Sequence, residues 1–266
     1  TLQDGGVGAP AWVISTVGRM AGLASSIKAG SYEFDQGLSL WAILRKLSSG
    51  DTSQADLLIV EGASFREIRT KLNAQPALIH TTQDLNDAAI MTRLGLAGQA
   101  PEGWFFPDTY RFDKRSDDLE LLARAHRAMQ KQLHTAWAGR EAGLPLQTPY
   151  ELLILASIVE KETGAAVDRA QIAGVFINRL RKGMRLQTDP TVIYGLGERF
   201  DGNLRKADLQ RDTPHNTYTR NGLPPTPICM PGEASLLAAA HPAKTDALYF
   251  VARGDGSSQF SATLDA

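Results

Sequence analysis

The twelve residues from Leu152 to Thr163, Leu-Leu-Ile-Leu-Ala-Ser-Ile-Val-Glu-Lys-Glu-Thr, constrain this chain more than any other stretch. At helical spacing they put apolar side chains on nearly every side of a helix expected over 150–163. A helix of that kind has to be enclosed by other elements. A chain of 266 residues is long enough to build such an enclosure, as one large domain or two smaller ones. Two carboxylates close the run. Residues two apart on a helix point to different sides, so Glu160 and Glu162 cannot serve one site. Glu162 continues the stripe Leu155, Ile158, Val159, whereas Glu160 lies over Ala156 and Ser157. A carboxylate on an apolar stripe is costly to ionise, and the negative end of the helix acts in the same direction, so its pKa should rise. Those are the conditions for a general acid near neutral pH. On the stripe alone, a helix-end carboxylate paired with Lys161 or Arg169 is the commoner arrangement.

The surrounding pattern supplies the enclosing elements. Trp12, Val13, Val17 and Met20 mark one face of a helix, and Ile27–Phe34 reads as a short strand with a turn at Gly30. Leu40, Ile43, Leu44 and Leu47 recur at i, i+3, i+4, i+7, a helix closed by Gly50. Leu57–Val60 reads as an apolar strand. Ser64 with Glu67 three residues on forms a capping box for the next helix. This alternation suggests a small α/β module up to about residue 99. A second unit opens at Pro101 with the aromatic, Gly- and Pro-broken stretch Glu102–Tyr110. Helices are expected over 117–139, over 150–163 and over 168–182, the last stopped by Gly183. Residues 184–232 read mostly as loop, and a loop region that long is usually functional or disordered. A short helix over 235–240 and two strands, 248–252 and 259–264, turned by Asp255-Gly256, complete the chain.

Composition narrows the function. With 43% hydrophobic and 21% charged residues the chain is an ordinary globular one. Lys+Arg number 28 against 29 Asp+Glu, which leaves no overall basic excess for nucleic acid phosphates. The one cysteine, Cys229, cannot form an intrachain disulfide and reads as a small packed residue. No run approaches the ~20 apolar residues of a membrane span. The start at Thr1 is expected to reflect processing or trimming that removed a signal or anchor, and the strand ending near Leu264 suggests a trimmed C-terminus as well. His215 and His241 stand apart without ligand partners, so neither a metal nor another cofactor is expected. No phosphate-binding glycine loop and no G-x-S-x-G elbow occurs.

The loops hold a second set of candidates. Met184–Thr191, with Gln187, Thr188 and Asp189, and Asn216-Thr217-Tyr218 gather amide, hydroxyl and phenol groups beside Gly222-Leu223-Pro224-Pro225. A neutral, polyhydroxylated ligand needs such groups. Asx-turns and proline corners use the same residues without a ligand, and for any single residue that reading is the commoner one.

In combination the motifs are specific. Ala156–Thr163, Val175-Phe176-Ile177-Asn178-Arg179-Leu180, Leu186–Gly195, Glu102-Gly103 with Phe106–Tyr110, Asn216-Thr217-Tyr218, Gly222–Pro225 and Ala240-His241-Pro242-Ala243-Lys244 resemble, in order, the MltG (YceG-like) family of bacterial endolytic murein transglycosylases. The resemblance covers roughly 100–266. Residues 27–47 and 57–72 resemble the family's LysM-like N-terminal module more generically. The resemblance implies an α+β fold: a small LysM-like module over 1–99, truncated at its N-terminus, then a mixed, helix-rich catalytic domain over 100–266 ending in a β-hairpin. It implies cleavage of the β-1,4 bond between N-acetylmuramic acid and N-acetylglucosamine in peptidoglycan, with release of a 1,6-anhydro end and no addition of water. By match to the family motif Glu162 is the acid/base. Gln187, Thr188, Asp189, Asn216 and Tyr218 are the expected substrate-binding residues, with Asp189 orienting its loop or stabilising positive charge at C1. The resemblance implies one N-terminal membrane helix, expected to lie outside this sequence, and a site facing the periplasm. Anchoring in the bacterial inner membrane, action on nascent glycan strands and a peptidoglycan synthase as partner are implied by resemblance only. Two other readings stay open: a lysozyme-like hydrolase using Asp189 or Asp108 as second carboxylate, and a non-catalytic peptidoglycan-binding protein.

Overall fold

The computed structural model describes residues 11–27, 32, 34, 37–49, 54–162, 167–254 and 258–264. The elements run α1 (Ala11–Met20), α2 (Leu40–Ser49), β1 (Gln54–Leu58), α3 (Phe65–Ala74), β2 (Leu78–Ile79), α4 (Asp87–Arg93), β3 (Thr109–Asp113), β4 (Ser116–Asp117), α5 (Asp118–Gly139), α6 (Pro149–Glu162), α7 (Arg169–Arg181), α8 (Asp189–Leu196), α9 (Lys206–Gln210), α10 (Glu233–Ala240), β5 (Tyr249–Ala252) and β6 (Ser258–Ser261). This is a mixed α+β fold, helix-rich, with only two-stranded sheets among the described residues.

Helix α6 is the axis of the larger core. Thr148 starts it: its hydroxyl accepts from Glu151 N–H at 3.2 Å, and the Glu151 carboxylate reaches back to Gln147 N–H. Every residue from Leu152 to Val159 is buried. The walls are the second half of α5 (Met129, Leu133, Ala136), one side of α7 (Ile172, Ala173, Phe176, Ile177), Leu186, Ile228 and α10. The alanines Ala238, Ala239 and Ala240 let α10 lie close against α6. Ser157, the one polar residue in the apolar run, donates to Ile154 O at 2.7 Å and accepts from Ile228 N–H at 3.0 Å. Cys229 packs there fully buried, its thiol donating to Ser157 O at 3.3 Å.

A second core joins the two ends of the expected domain boundary. Strand β1 pairs antiparallel with β3, from Gln54↔Asp113 to Leu58↔Thr109. Leu57, Phe65, Ile68 and Leu72 pack with Phe105, Tyr110, Phe112, Leu121, Leu122 and Met230. The capping box at Ser64 forms with both of its hydrogen bonds, Glu67 N–H to Ser64 Oγ and Ser64 N–H to Glu67 Oε2. The hairpin β5–β6 forms in register Tyr249↔Ser261.

Residues 184–232 are mostly loop, as the sequence suggests, and the stretch also contains α8, α9 and a 3-10 turn at Gly197–Arg199. Pro190 lies in the first turn of α8, where a missing N–H costs nothing. The strand placed at 57–60 runs instead over Gln54–Leu58, where β3 supplies its partner. The strand read over 27–34 with its turn at Gly30, the stop at Gly50, Thr163 and the Asp255-Gly256 turn fall wholly or partly outside the described residues.

Candidate active site

Glu162 is the last residue of α6 and is half-buried. Its Oε1 accepts a hydrogen bond from the Thr188 hydroxyl. Thr188 precedes α8 in the N-cap position, with φ −114° and ψ 122°, yet its side chain caps nothing there because the hydroxyl is spent on Glu162. A layer of threonines holds Thr188 in place. Its N–H donates to Thr217 Oγ1 at 3.1 Å, its carbonyl accepts from Thr191 Oγ1 at 2.7 Å, and the Thr191 and Thr217 hydroxyls share a bond of 2.9 Å.

The two candidate loops thus meet at Glu162. Gln187 N–H donates to Thr217 O at 3.2 Å. Gln187 is exposed and takes φ 49°, a left-handed conformation uncommon for a residue with a side chain. Tyr218 donates its phenol hydrogen to Asp189 Oδ1 at 2.5 Å, and Arg185 Nη1 donates to Tyr218 O at 2.9 Å. Asn216 is fully buried. Its Nδ2 donates to the carbonyls of Arg211 at 2.7 Å and Leu209 at 3.0 Å, and its Oδ1 accepts from Tyr218 N–H at 2.8 Å. Its side chain is therefore occupied in shaping the loop that presents Tyr218. Asp108 lies at the start of β3, its carboxylate accepting from Thr109 N–H at 2.7 Å.

The electrostatics favour a protonatable Glu162. Burial raises its pKa above 4.5, and the negative charge of Asp189 acts the same way. The Thr188 hydrogen bond and the positive charge of Arg179 oppose them. Burial also raises the pKa of the Tyr218 phenol, as does its hydrogen bond to Asp189, which keeps it a donor. In the sequence Arg179 stands within the family-like motif Val175–Leu180, with no role of its own assigned to it. Its Nη1 holds Leu186 O at 2.7 Å, just before the Gln187–Asp189 turn, and its Nε holds Leu248 O at 2.7 Å. It also lies 5.2 Å from the Tyr249 ring centre.

Glu160 faces elsewhere, as the helical arithmetic requires. Its Oε2 accepts from Gly232 N–H at 2.9 Å, and its Oε1 lies 3.9 Å from Arg169 Nη2. The pairing with Arg169 thus belongs to Glu160, and Glu162 is left to the loops. Behind the site, Glu102 is 5% exposed, accepts from Phe65 N–H at 3.0 Å and from Tyr194 OH at 3.2 Å, and has its pKa raised to about 7 by burial. His215 packs edge-on against Tyr194 at 4.8 Å and bonds Thr226 Oγ1 at 2.9 Å, a packed histidine in the loop core. Among the described residues no group of three or more His, Cys, Asp and Glu could hold a metal ion.

The family model of YceG-like proteins matches residues 1–266. The chain belongs to the YceG-like family. An endolytic murein transglycosylase of Bacillus subtilis is 36% identical over 260 residues, covering 91% of this chain and 71% of that protein. A protein of the same name from Streptococcus pneumoniae is 30% identical over 262 residues, covering 86% of this chain and 47% of that protein. The crystal structure of a YceG-like protein from Listeria monocytogenes superposes with a TM-score of 0.67 at 32% identity, over 96% of this chain and 88% of that one. The chain therefore spans less than half of the Streptococcus relative.

Proposed function

We propose that this chain is a lytic murein transglycosylase. It cuts the β-1,4 bond between N-acetylmuramic acid and N-acetylglucosamine within peptidoglycan glycan strands and leaves 1,6-anhydromuramoyl ends. The observation that carries the reading is Glu162: a half-buried carboxyl with raised pKa, held by Thr188 where the Gln187–Asp189 and Asn216–Tyr218 loops converge. In its protonated form Glu162 delivers a proton to the glycosidic oxygen as the bond to C1 breaks. The 6-hydroxyl of the muramic acid then attacks C1, and the Glu162 carboxylate takes the hydroxyl proton. Both proton transfers use one residue, and the nucleophile belongs to the substrate, so the pair of carboxylates used by most glycosidases is not needed. Asp189, engaged by the Tyr218 phenol, orients that loop and adds negative charge near the developing positive charge at C1. Gln187 and Tyr218 hold the sugar and its N-acetyl group, Thr188 sets the orientation of Glu162, and Asn216 shapes the loop behind them.

The wider setting is part of the same proposal. Residues 1–99 are a LysM-like module and 100–266 the catalytic region, acting on nascent strands beside a peptidoglycan synthase. The site works on the periplasmic side of the inner membrane, held there by an N-terminal anchor. No helix among the described residues is long and apolar enough to cross a membrane.

The test is to digest glycan strands in ¹⁸O-labelled water and weigh the new ends. A well-placed intramolecular hydroxyl reaches an effective molarity of about 10⁵ M or more, far above bulk water. New ends are therefore expected to be unlabelled anhydro sugars, one water lighter than hydrolysis products. Label in most new ends makes the enzyme a hydrolase and Asp189 the first candidate for its second carboxylate.

A further inference from the structure

A cavity of about 600 Å³ opens at the far end of α6, lined by Gln99, Trp104, Pro149, Tyr150, Pro225 and Thr226 together with small neighbours. It falls within the size range of small-molecule sites. None of its lining residues is charged. Two other cavities differ in this respect: one carries Arg111, Arg124 and Glu120, the other Arg181, Lys244 and Asp246. The uncharged cavity is built around aromatic rings. Trp104 and Tyr150 stack with centroids 5.6 Å apart and planes 14° apart, and His126 meets Trp104 edge-on at 5.5 Å. The Trp104 indole N–H is buried and has no hydrogen-bond partner among the described residues.

The cavity is tied to the site at Glu162 by two elements. Tyr150 opens α6 and Glu162 ends it, a rise of about 18 Å at 1.5 Å per residue. The loop that presents Tyr218 beside Asp189 continues to Pro225 and Thr226 at the cavity. At the cavity, Thr226 Oγ1 bonds His215, and His215 packs on Tyr194 of α8, the helix whose first residue is Asp189.

We propose that this cavity is a second saccharide subsite, taking an N-acetylglucosamine unit of the bound strand several sugars away from the scissile bond. The inference rests on the glycan-cleaving reading above and extends it. An aromatic ring offers the flat apolar surface against which the C–H face of a pyranose packs, and hydroxyl and amide groups around it suit sugar hydroxyls and the N-acetyl group. The lack of charge selects the neutral N-acetylglucosamine unit over muramic acid with its lactyl carboxylate, and over a stem peptide with its free carboxylates. An enzyme that cuts inside a strand gains from such a subsite because it holds the strand well to one side of the cut.

The test uses the whole chain. Glu162→Gln protein with ¹⁵N-labelled tryptophan is titrated with a peptide-free octasaccharide of alternating N-acetylglucosamine and N-acetylmuramic acid. Trp104→Phe assigns the Trp104 indole signal, and Trp12, Trp41 and Trp137 serve as internal controls. The Trp104 signal is expected to shift and saturate while the controls stay in place. In parallel, Tyr150→Ala in the active enzyme is expected to lower the ratio of kcat/KM for long strands to that for a tetrasaccharide roughly tenfold, one decade of affinity. If calorimetry shows that the octasaccharide binds the Glu162→Gln protein while the Trp104 signal stays in place, and the ratio holds in Tyr150→Ala, the subsite is overturned and the catalytic reading survives. If Glu162→Gln binds no strand and the active enzyme releases no anhydro ends, both fall together.

Discussion

Replacing Glu102 by glutamine should flatten the dependence of stability on pH, by an amount the structure allows to be worked out. The carboxyl is enclosed between the first turn of α3 and Tyr194 of α8, with an ordinary pKa of 4.5 and a folded value of about 7. Well below pH 4.5 it is protonated in both folded and unfolded chains, and its contribution to stability is fully present. As pH rises from 4.5, the unfolded chain releases this proton first, so the unfolded state gains and stability falls until the folded carboxyl also ionises near pH 7. At 1.36 kcal/mol per pKa unit, the loss across that window is about 3 kcal/mol. Glutamine keeps an acceptor for Phe65 N–H and has no proton to release. The assay is urea unfolding of wild type and Glu102→Gln at a series of pH values from 4.5 to above 7, followed by circular dichroism. Titrations common to both proteins, such as that of His215, whose pKa burial lowers, cancel in the difference. Wild-type stability minus variant stability is expected to fall by about 3 kcal/mol across the window. A difference that stays flat, or rises with pH, refutes the reasoning.

Other expectations follow from the site. Glu162→Gln should lower turnover about 10²-fold or more while leaving the circular dichroism spectrum unchanged, and Glu160→Gln, a change on the Gly232 and Arg169 side, should cost much less; equal losses would remove Glu162 from its role. Because Glu162 must be protonated to act as the acid, kcat/KM should fall as pH rises through its raised pKa. Thr188→Val removes a hydrogen bond that lowers this pKa, so the falling limb should move to higher pH; a shift down would contradict the assignment. Activity should persist in chelator, and a loss restored by a divalent ion would point to a metal. Gly103→Ala should destabilise the fold by at least about 1 kcal/mol in urea unfolding, because the residue has φ 84° and a Cβ there would sit 2.5 Å from Pro227 Cγ.

What was legible in the sequence was mostly local. The burial of α6 followed from its all-round apolarity, and the divergence of Glu160 and Glu162 from their spacing. The capping box at Ser64 was readable because both partners lie within four residues. Helix α8 was not readable. Its first turn holds Pro190, its last turn Gly195, and the threonine in its N-cap position spends its hydroxyl on a carboxylate 26 residues away. A signal that normally announces a helix had been diverted to the site. The bond between Glu102 and Tyr194 spans 92 residues, and the β1–β3 register links residues 51 to 59 apart. Such pairings depend on how the helices pack, which no local pattern encodes. The convergence of Gln187, Thr188 and Thr217 was foreshadowed by loop composition and by the family resemblance, not by any local pattern, and Arg179, which holds Leu186 O, carried no signal beyond its place in the motif Val175–Leu180.

The turn between β1 and α3 is tied both to the segment before α10 and to the end of α6. Gly62 N–H donates to Met230 O and Met230 N–H to Ala63 O, both at 2.8 Å, while Lys161 Nζ donates to Gly62 O at 3.4 Å, one residue before Glu162. A gene fragment encoding only the region from residue 100 onward would lose β1 and α3, and with them the cover over Phe105, Phe112, Leu122 and Met230. The segment that carries Glu162 therefore depends on packing supplied from the first hundred residues. Separate expression of residues 100–266 is therefore expected to give an unstable chain, because Phe105, Phe112, Leu122 and Met230 would lose the cover of Leu57, Phe65, Ile68 and Leu72.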